Sequence, residues 1–121
     1  MNVLDSSALL AFLQGEKGAD LVEAALADDS CCGAANWSEV AQRIGASGRD
    51  WSLSRALLQS FELVVEPVTE VDAEWAAVRW RRGEGLSLGD RLCLAVGQRL
   101  EATVLTADKA WGSRGRIKQI R

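Results

Sequence analysis

Short apolar runs alternate with longer amphipathic stretches along the first half of the chain. The apolar pair Val3 and Leu4 predicts a strand that ends at Asp5, and a helical pattern follows over 6–13 until Gly15 interrupts it. The pattern then predicts a helix around 21–26, a buried strand at 30–35, a helix over 37–44 and a helix over 51–61.

The second half of the chain repeats this alternation. In chain order it predicts a strand at 63–66, a helix from 71 to a glycine at 83 or 85, a buried helix that includes 92–96, a strand at 103–106 and a strand at 117–120. Strands separated by helical segments of about 10 to 15 residues are typical of a parallel sheet. We therefore predict one α/β domain over 1–121, a three-layer sandwich whose central sheet has four to five strands and helices on both faces.

The chain contains no histidine. This excludes Ser-His-Asp and Cys-His catalysis, imidazole zinc ligands and a histidine general base, so acid–base or metal chemistry must use carboxylates. Cys31, Cys32 and Cys93 form no C-x-x-C pair, and we interpret them as small buried hydrophobic residues.

Charge is unevenly distributed behind the formal net charge of -3. Residues 1–78 hold 4 basic and 13 acidic side chains, whereas residues 79–121 hold 10 basic and 4 acidic ones. A basic C-terminal third suits a polyanionic partner, and the alternative is a solvated face with a basic tail. The candidates for contacting such a partner are Arg79, Arg81, Arg82, Arg114 and Arg116.

The N-terminus does not resemble a secretory signal, because Asp5 lies in its first apolar stretch and no basic residue precedes Lys17. No run of eighteen apolar residues occurs, so no membrane span is expected. We therefore expect a cytoplasmic protein.

Four acidic residues fall near the carboxyl ends of predicted strands, where functional groups collect in a parallel sheet. Asp5 ends the first strand, and Glu39 lies one turn into the helix after the second. Asp90 opens the buried helix, and Asp108 follows the fourth strand. Carboxylates that lie so close together repel one another, and a hard cation such as Mg2+ or Mn2+ relieves the repulsion. The four acids predict a site for metal-assisted hydrolysis of a phosphodiester.

Helix capping is the alternative interpretation of each acid, since helices that follow parallel strands begin at this same edge. Asp5 is placed to be an N-cap, and Asp90 and Asp108 can cap or lie in first turns. Asn36 with Glu39 three residues later resembles a capping box. Capping does not explain why acids are used at these positions, because hydroxyl residues next to them could serve as caps instead. These are Ser6, Ser7, Ser38 and Thr106.

Four segments together resemble the motifs of PIN-domain ribonucleases, specifically VapC toxins. They are Asn-Val-Leu-Asp-Ser-Ser-Ala-Leu at 2–9, Asn-Trp-Ser-Glu-Val at 36–40, Leu-Ser-Leu-Gly-Asp-Arg at 86–91 and Val-Leu-Thr-Ala-Asp-Lys-Ala-Trp at 104–111. The resemblance covers essentially the whole chain, and order, spacing and flanking apolar residues agree. It implies a PIN-like sandwich, Mg2+-dependent RNA cleavage, a cognate VapB-type antitoxin and a homodimer.

Carried over residue by residue, the resemblance implies an acidic site of Asp5, Glu39, Asp90 and Asp108. Asp5 and Asp90 are then the firmest metal ligands, and Asp108 acts directly or through a coordinated water. Glu39 is the candidate to orient or deprotonate the attacking water. A supporting role close to the acids is implied for two hydroxyl residues, with plain capping as the alternative. They are Ser7 and Thr106.

Other classes of protein share parts of this pattern. A receiver-like signalling module has a similar length and an acidic Mg2+ site, but it needs an acid pair where Asp5 is followed by two serines. A haloacid-dehalogenase-type phosphatase needs a second Asp where Ser7 stands. A PIN fold that binds without catalysis is the remaining alternative.

Overall fold

Five parallel strands form a single sheet in a computed structural model that describes residues 1–121. They are β1 (Asn2–Leu4), β2 (Ser30–Gly33), β3 (Val64–Glu66), β4 (Thr103–Thr106) and β5 (Ile117–Gln119). Their order across the sheet is β3-β2-β1-β4-β5, with every neighbouring pair parallel. The predicted parallel α/β architecture is confirmed, and the sheet has the larger of the two expected strand numbers.

Six α-helices and one 3-10 helix connect and follow the strands. They are α1 (Ser6–Leu13), α2 (Ala19–Ala27), α3 (Ala34–Ala46), α4 (Trp51–Ser60), α5 (Glu70–Arg79), α6 (Leu88–Leu100) and a 3-10 helix at Lys109–Trp111. None of these helices combines the length and the hydrophobicity needed to cross a bilayer.

The end of α5 differs from the prediction, because the helix stops at Arg79 and does not reach the glycines at 83 and 85. Two arginine side chains donate hydrogen bonds to backbone carbonyls at this end of the helix. Arg91 donates to the carbonyl of Ala76, and Arg81 donates to that of Val78. Unpaired carbonyls at a helix end need such partners, so side-chain contacts fix this boundary.

Alternating residues of the strands supply two separate cores, one on each face of the sheet. In β1, Leu4 faces the core built with α1 to α4, while Val3 faces the core built with α6. Cys32 and Cys31 divide in the same way. This alternation follows from the two-residue period of a strand and explains why both faces are apolar. All three cysteines are buried and free, as interpreted from the sequence.

The strand order creates a crevice beside β1. The chain moves outward from β1 to β2 and β3, and then returns so that β4 pairs with the other side of β1. Ligands of open parallel sheets bind where the order reverses in this way, outside the carboxyl ends of the strands. The order also differs from the 2-1-3-4-5 order of receiver-like modules, which excludes that alternative.

Helix α6 lies close against β4 and is tied to α5. An added Cβ at Gly97 would overlap a methyl carbon of Val104, so only glycine permits this approach. Arg99 donates to both oxygens of the buried Asp72 at 3.0 and 3.1 Å. These contacts fix the direction of α6, whose first turn lies at the carboxyl edge of the sheet.

Candidate metal centre

Asp5 lies directly after β1 and is 2% exposed. Its side chain caps α1 by accepting from the backbone N–H of Ala8 at 2.8 Å. The hydroxyl of Ser7 donates to Oδ1 at 2.7 Å, and that of Thr106 donates to Oδ2 at 2.6 Å. Both oxygens of this buried carboxylate are therefore held by neutral donors.

Burial raises the pKa of Asp5 from 3.8 to about 6. The hydrogen bonds from Thr106, Ser7 and Ala8 act in the opposite direction, and the charge of Asp90 adds a smaller increase. A raised pKa is expected where acidic groups converge, but here the main cause is loss of water around one carboxylate. Repulsion between acids is the lesser cause.

Ser7 and Thr106 also connect β1 to β4. Ser7 accepts from the backbone N–H of Ala107 at 2.8 Å, and Thr106 accepts from that of Asp108 at 3.0 Å. They contact Asp5 and fix its position relative to the segment that follows β4.

Asp90 occupies the third position of α6 and is half-buried. Its Oδ2 accepts from the backbone N–H of Ser87 at 2.9 Å, while Ser87 Oγ accepts from the N–H of Asp90 at 3.1 Å. This reciprocal pair is a capping box. Its charge contributes to the pKa of Asp5, which places the two acids within electrostatic reach of each other.

Glu39 lies in the second turn of α3 and is exposed. The proposed capping box with Asn36 is wrong, because α3 begins at Ala34 and is preceded by Gly33. The Asn36 amide instead donates to Glu39 Oε1 at 2.8 Å. The spacing of Asn36 and Glu39 fits a capping box, but it fits equally well a direct hydrogen bond between two side chains within one helix.

Asp108 is exposed and is the N-cap of the 3-10 helix, where its Oδ1 accepts from the N–H of Ala110 at 2.9 Å. Its backbone is tied to Thr106, but its carboxylate has no recorded contact with Asp5. The structure thus places Asp108 at the same edge without joining its side chain to the buried carboxylate.

The four acids share one electrostatic property: none of them forms an ion pair with a lysine or arginine. No three carboxylate, thiol or imidazole groups lie close enough together to hold one metal ion. The structure therefore does not assemble Asp5, Asp90 and Asp108 into one ligand set. Mg2+ commonly binds through one or two carboxylates and keeps several waters, so Asp5 with Asp90 fits this ion in number and type of donor.

A cleft of about 680 Å3 lies between α5, α6 and the segment after Asp108. Trp75, Leu94 and Trp111 contribute apolar surface, and Arg114 and Arg116 contribute exposed charge. The segment 110–117 forms one wall, and Arg116 lies at the amino end of β5, so the arginines of the cleft are at the edge of the sheet opposite the four acids, none of which lines the cleft. Sequence analysis found the arginines but missed the cleft, since its walls come from distant parts of the chain.

Sequence analysis also missed the contacts of Asn36 and Gly89. The amide of Asn36 donates to the carbonyl of Gly89 at 3.3 Å, joining α3 to the first turn of α6. The only available signals were that Asn36 lies three residues before Glu39 and that Gly89 directly precedes Asp90.

Comparison with known proteins identifies the family and the fold. A family model for the PIN domain matches residues 3–116. No curated protein matches the chain. A chain of a toxin–antitoxin complex from Klebsiella pneumoniae has a TM-score of 0.83 and 17% identity, covering 100% of this chain and 98% of that one. VapC20 of Mycobacterium tuberculosis, a toxin that cleaves the Sarcin-Ricin loop, has a TM-score of 0.67 and 16% identity over 88% of each chain. These likenesses confirm the expected PIN-like sandwich.

Replacing Asp5 with Asn is expected to stabilise the metal-free protein above about pH 6. Because the folded state raises this pKa from 3.8 to about 6, the contribution of Asp5 to stability is fully present below pH 3.8 and is lost as pH rises through about 6. A shift of this size corresponds to about 3 kcal/mol, before the altered hydrogen bonds of Asn are considered.

Urea denaturation in EDTA between pH 4 and 8 measures this effect. The advantage of Asp5→Asn over the wild type should grow by about 2 to 3 kcal/mol across that range. Glu23→Gln, an exposed site on α2, is the control and should follow the wild-type curve. A pH-independent difference between Asp5→Asn and the wild type would contradict the burial argument.

Proposed function

The chain belongs to the PIN domain family, and on that premise we propose that it is a Mg2+-dependent ribonuclease and the toxic component of a toxin–antitoxin system. We further propose that its 121 residues are a single PIN domain that acts in the cytoplasm. Mn2+ is the alternative metal ion. A PIN-fold protein that binds RNA without cleaving it is the alternative function.

The buried carboxylate of Asp5 is the observation that carries this proposal. It lies at the crevice between β1 and β4, lacks a cationic partner and has a raised pKa. Burial without a cation makes the ionised form of such a group unfavourable relative to its neutral form. A divalent cation would supply the missing positive charge, so the arrangement favours a metal site over a purely structural cap.

Each acid then has a role set by its surroundings. Asp5 and Asp90 would hold Mg2+, with Asp5 kept in place by Ser7 and Thr106. When bound, Mg2+ supplies Lewis-acid polarisation of a phosphoryl oxygen and a lowered pKa for water. Other contributions come from residues closer to solvent. Glu39 would orient the attacking water or accept its proton, and Asp108 would contact the metal ion directly or through a water molecule.

The cleft between α5, α6 and the segment 110–117 is the proposed path of the RNA backbone. Arg114 and Arg116 are exposed there and form no ion pair, so their charge is available to phosphate groups. The remaining three arginines considered for RNA contact already have partners within the chain. Arg79 pairs with Glu84, Arg81 donates to backbone carbonyls and Arg82 lies 5.7 Å from the centre of the Trp80 ring.

A VapB-type antitoxin and a second copy of the chain are the proposed protein partners. Support for the antitoxin comes from the Klebsiella pneumoniae complex, which shares the fold over the full chain. Val78, Trp80 and Leu88 are at least half exposed near the start of α6. Exposed apolar groups of this size favour a protein contact, and we propose that they belong to a homodimer interface.

The purified protein, freed of any antitoxin, should cleave cellular RNA in Mg2+ or Mn2+ and stop when EDTA is added. Asp90→Asn should lower the cleavage rate by at least about 100-fold, since it removes a charge that the metal needs. Gel analysis of total RNA measures cleavage, and Asp20→Asn on α2 is the control for loss of an unrelated carboxylate. Undiminished cleavage in chelator would refute metal dependence, and RNA binding without cleavage would favour the alternative function.

Replacing Arg114 and Arg116 with Gln should weaken RNA binding and reduce its dependence on salt. Each lost phosphate contact lowers the slope of log affinity against log salt by about 0.7 for a single strand, so the pair should lower it by about 1.4. Fluorescence anisotropy in the Asp90→Asn background measures binding without cleavage. Arg55→Gln, an exposed site on α4, should keep the original slope. An equal slope in all three proteins would show that the cleft does not bind the RNA backbone.

Expression of the wild-type chain alone should arrest bacterial growth, and co-expression of the antitoxin from the adjacent gene should restore it. Asp90→Asn should permit growth at the same protein level, because arrest depends on cleavage. Growth curves with immunoblots of protein level provide the measurement. Normal growth in the presence of active wild-type protein would contradict the toxin assignment while leaving the ribonuclease assignment intact.

A further inference from the structure

Asn36 is a buried polar side chain in the first turn of α3, with 1% of its surface exposed. Burying an amide is unfavourable unless it forms hydrogen bonds. Its nitrogen donates to Glu39 Oε1 at 2.8 Å and to the carbonyl of Gly89 at 3.3 Å. One amide group thus contacts both the acid of α3 and the residue that precedes Asp90 in α6.

Gly89 completes the surroundings of Glu39. An added Cβ at this glycine would lie 3.0 and 3.1 Å from the two oxygens of the Glu39 carboxylate. The carboxylate therefore rests on the backbone of α6, where any other residue would displace it. The first turn of α6 also presents the positive end of the helix dipole, which favours a carboxylate at this place.

The exposure of Glu39 makes this arrangement unusual for a structural contact. An exposed glutamate ordinarily keeps its rotamer freedom, and fixing it has an entropic cost. Here a buried amide and a backbone without a side chain hold the carboxylate from two sides. Glu39 Oε2 forms no recorded hydrogen bond and is left available to a further partner.

We propose that Asn36 and Gly89 are positioning residues, which hold the Glu39 carboxylate against the first turn of α6 so that its free oxygen faces the attacking water. The proposal rests on the ribonuclease function proposed above. Asn36 fixes one oxygen of Glu39, and Gly89 provides the space. Neither residue contacts the RNA or the metal ion.

Gly89→Ala separates positioning from stability, because the two effects have opposite signs. Alanine has a higher helix propensity than glycine, so the melting temperature should equal or exceed that of the wild type. The new methyl group must push the Glu39 carboxylate away by a few tenths of an ångström. Misplacement of a catalytic group by 1 Å can cost about 100-fold in rate, and we expect kcat to fall about 3- to 10-fold.

Asn36→Ala removes the amide contact and should lower kcat about 10- to 100-fold, the usual range for a partner of a catalytic group. It also leaves a cavity, so its melting temperature should fall. Ser38→Ala is the matched control, since Ser38 is exposed beside Glu39 and forms no recorded hydrogen bond. Its kcat and melting temperature should equal those of the wild type.

RNA cleavage kinetics, Mg2+ titrations and thermal melts of these four proteins test the proposal. In Gly89→Ala and in Asn36→Ala, kcat should fall while KM and the Mg2+ midpoint stay at wild-type values, because neither substitution moves Asp5 or Asp90. A wild-type kcat in Gly89→Ala, or a weakened Mg2+ midpoint in either variant, would overturn the positioning role. A wild type that cleaves no RNA would refute the proposed function and this inference together.

Discussion

A carboxylate without a counter-charge, buried where β1 meets β4, is the constraint on which the rest of the structure depends. Burial raises the pKa of Asp5 to about 6, and three neutral donors recover only part of the lost hydration. Those donors come from α1 and from the end of β4. The same network therefore joins the first strand to the fourth and orients the acid, so the fold and the candidate site share one set of contacts.

This arrangement explains why the crevice is both rigid and energetically unfavourable without a ligand. Ser7 accepts a backbone N–H from the segment after β4 while it donates to Asp5, and Thr106 does the same. Because each hydroxyl is used in both directions, Asp5 has little freedom to move toward solvent. A carboxyl group whose pKa is shifted by burial is common at functional sites.

The sequence predicts the fold well because each signal is local. Short apolar runs identify the strands, and the ends of those strands locate Asp5 and Asp108. Features that depend on distant contacts were not predictable. The end of α5 is set by Arg91, fifteen residues beyond its partner Ala76. Local spacing also misassigned Glu39 to a capping box, because its true neighbour Gly89 is fifty residues away along the chain.

For Asp90 and Asp108, capping and metal binding do not exclude each other, because each carboxylate uses only one of its oxygens for capping. Asp90 uses Oδ2 for Ser87, and Asp108 uses Oδ1 for Ala110. In each case the second carboxylate oxygen forms no recorded hydrogen bond. A helix start thus fixes the direction of each side chain and leaves one oxygen free. At the N-cap position that Asp108 occupies, Ser or Thr would also cap the helix, but its single oxygen would be occupied. Under the proposed ribonuclease function, the second oxygen of Asp90 and of Asp108 is the one that remains for a metal ion.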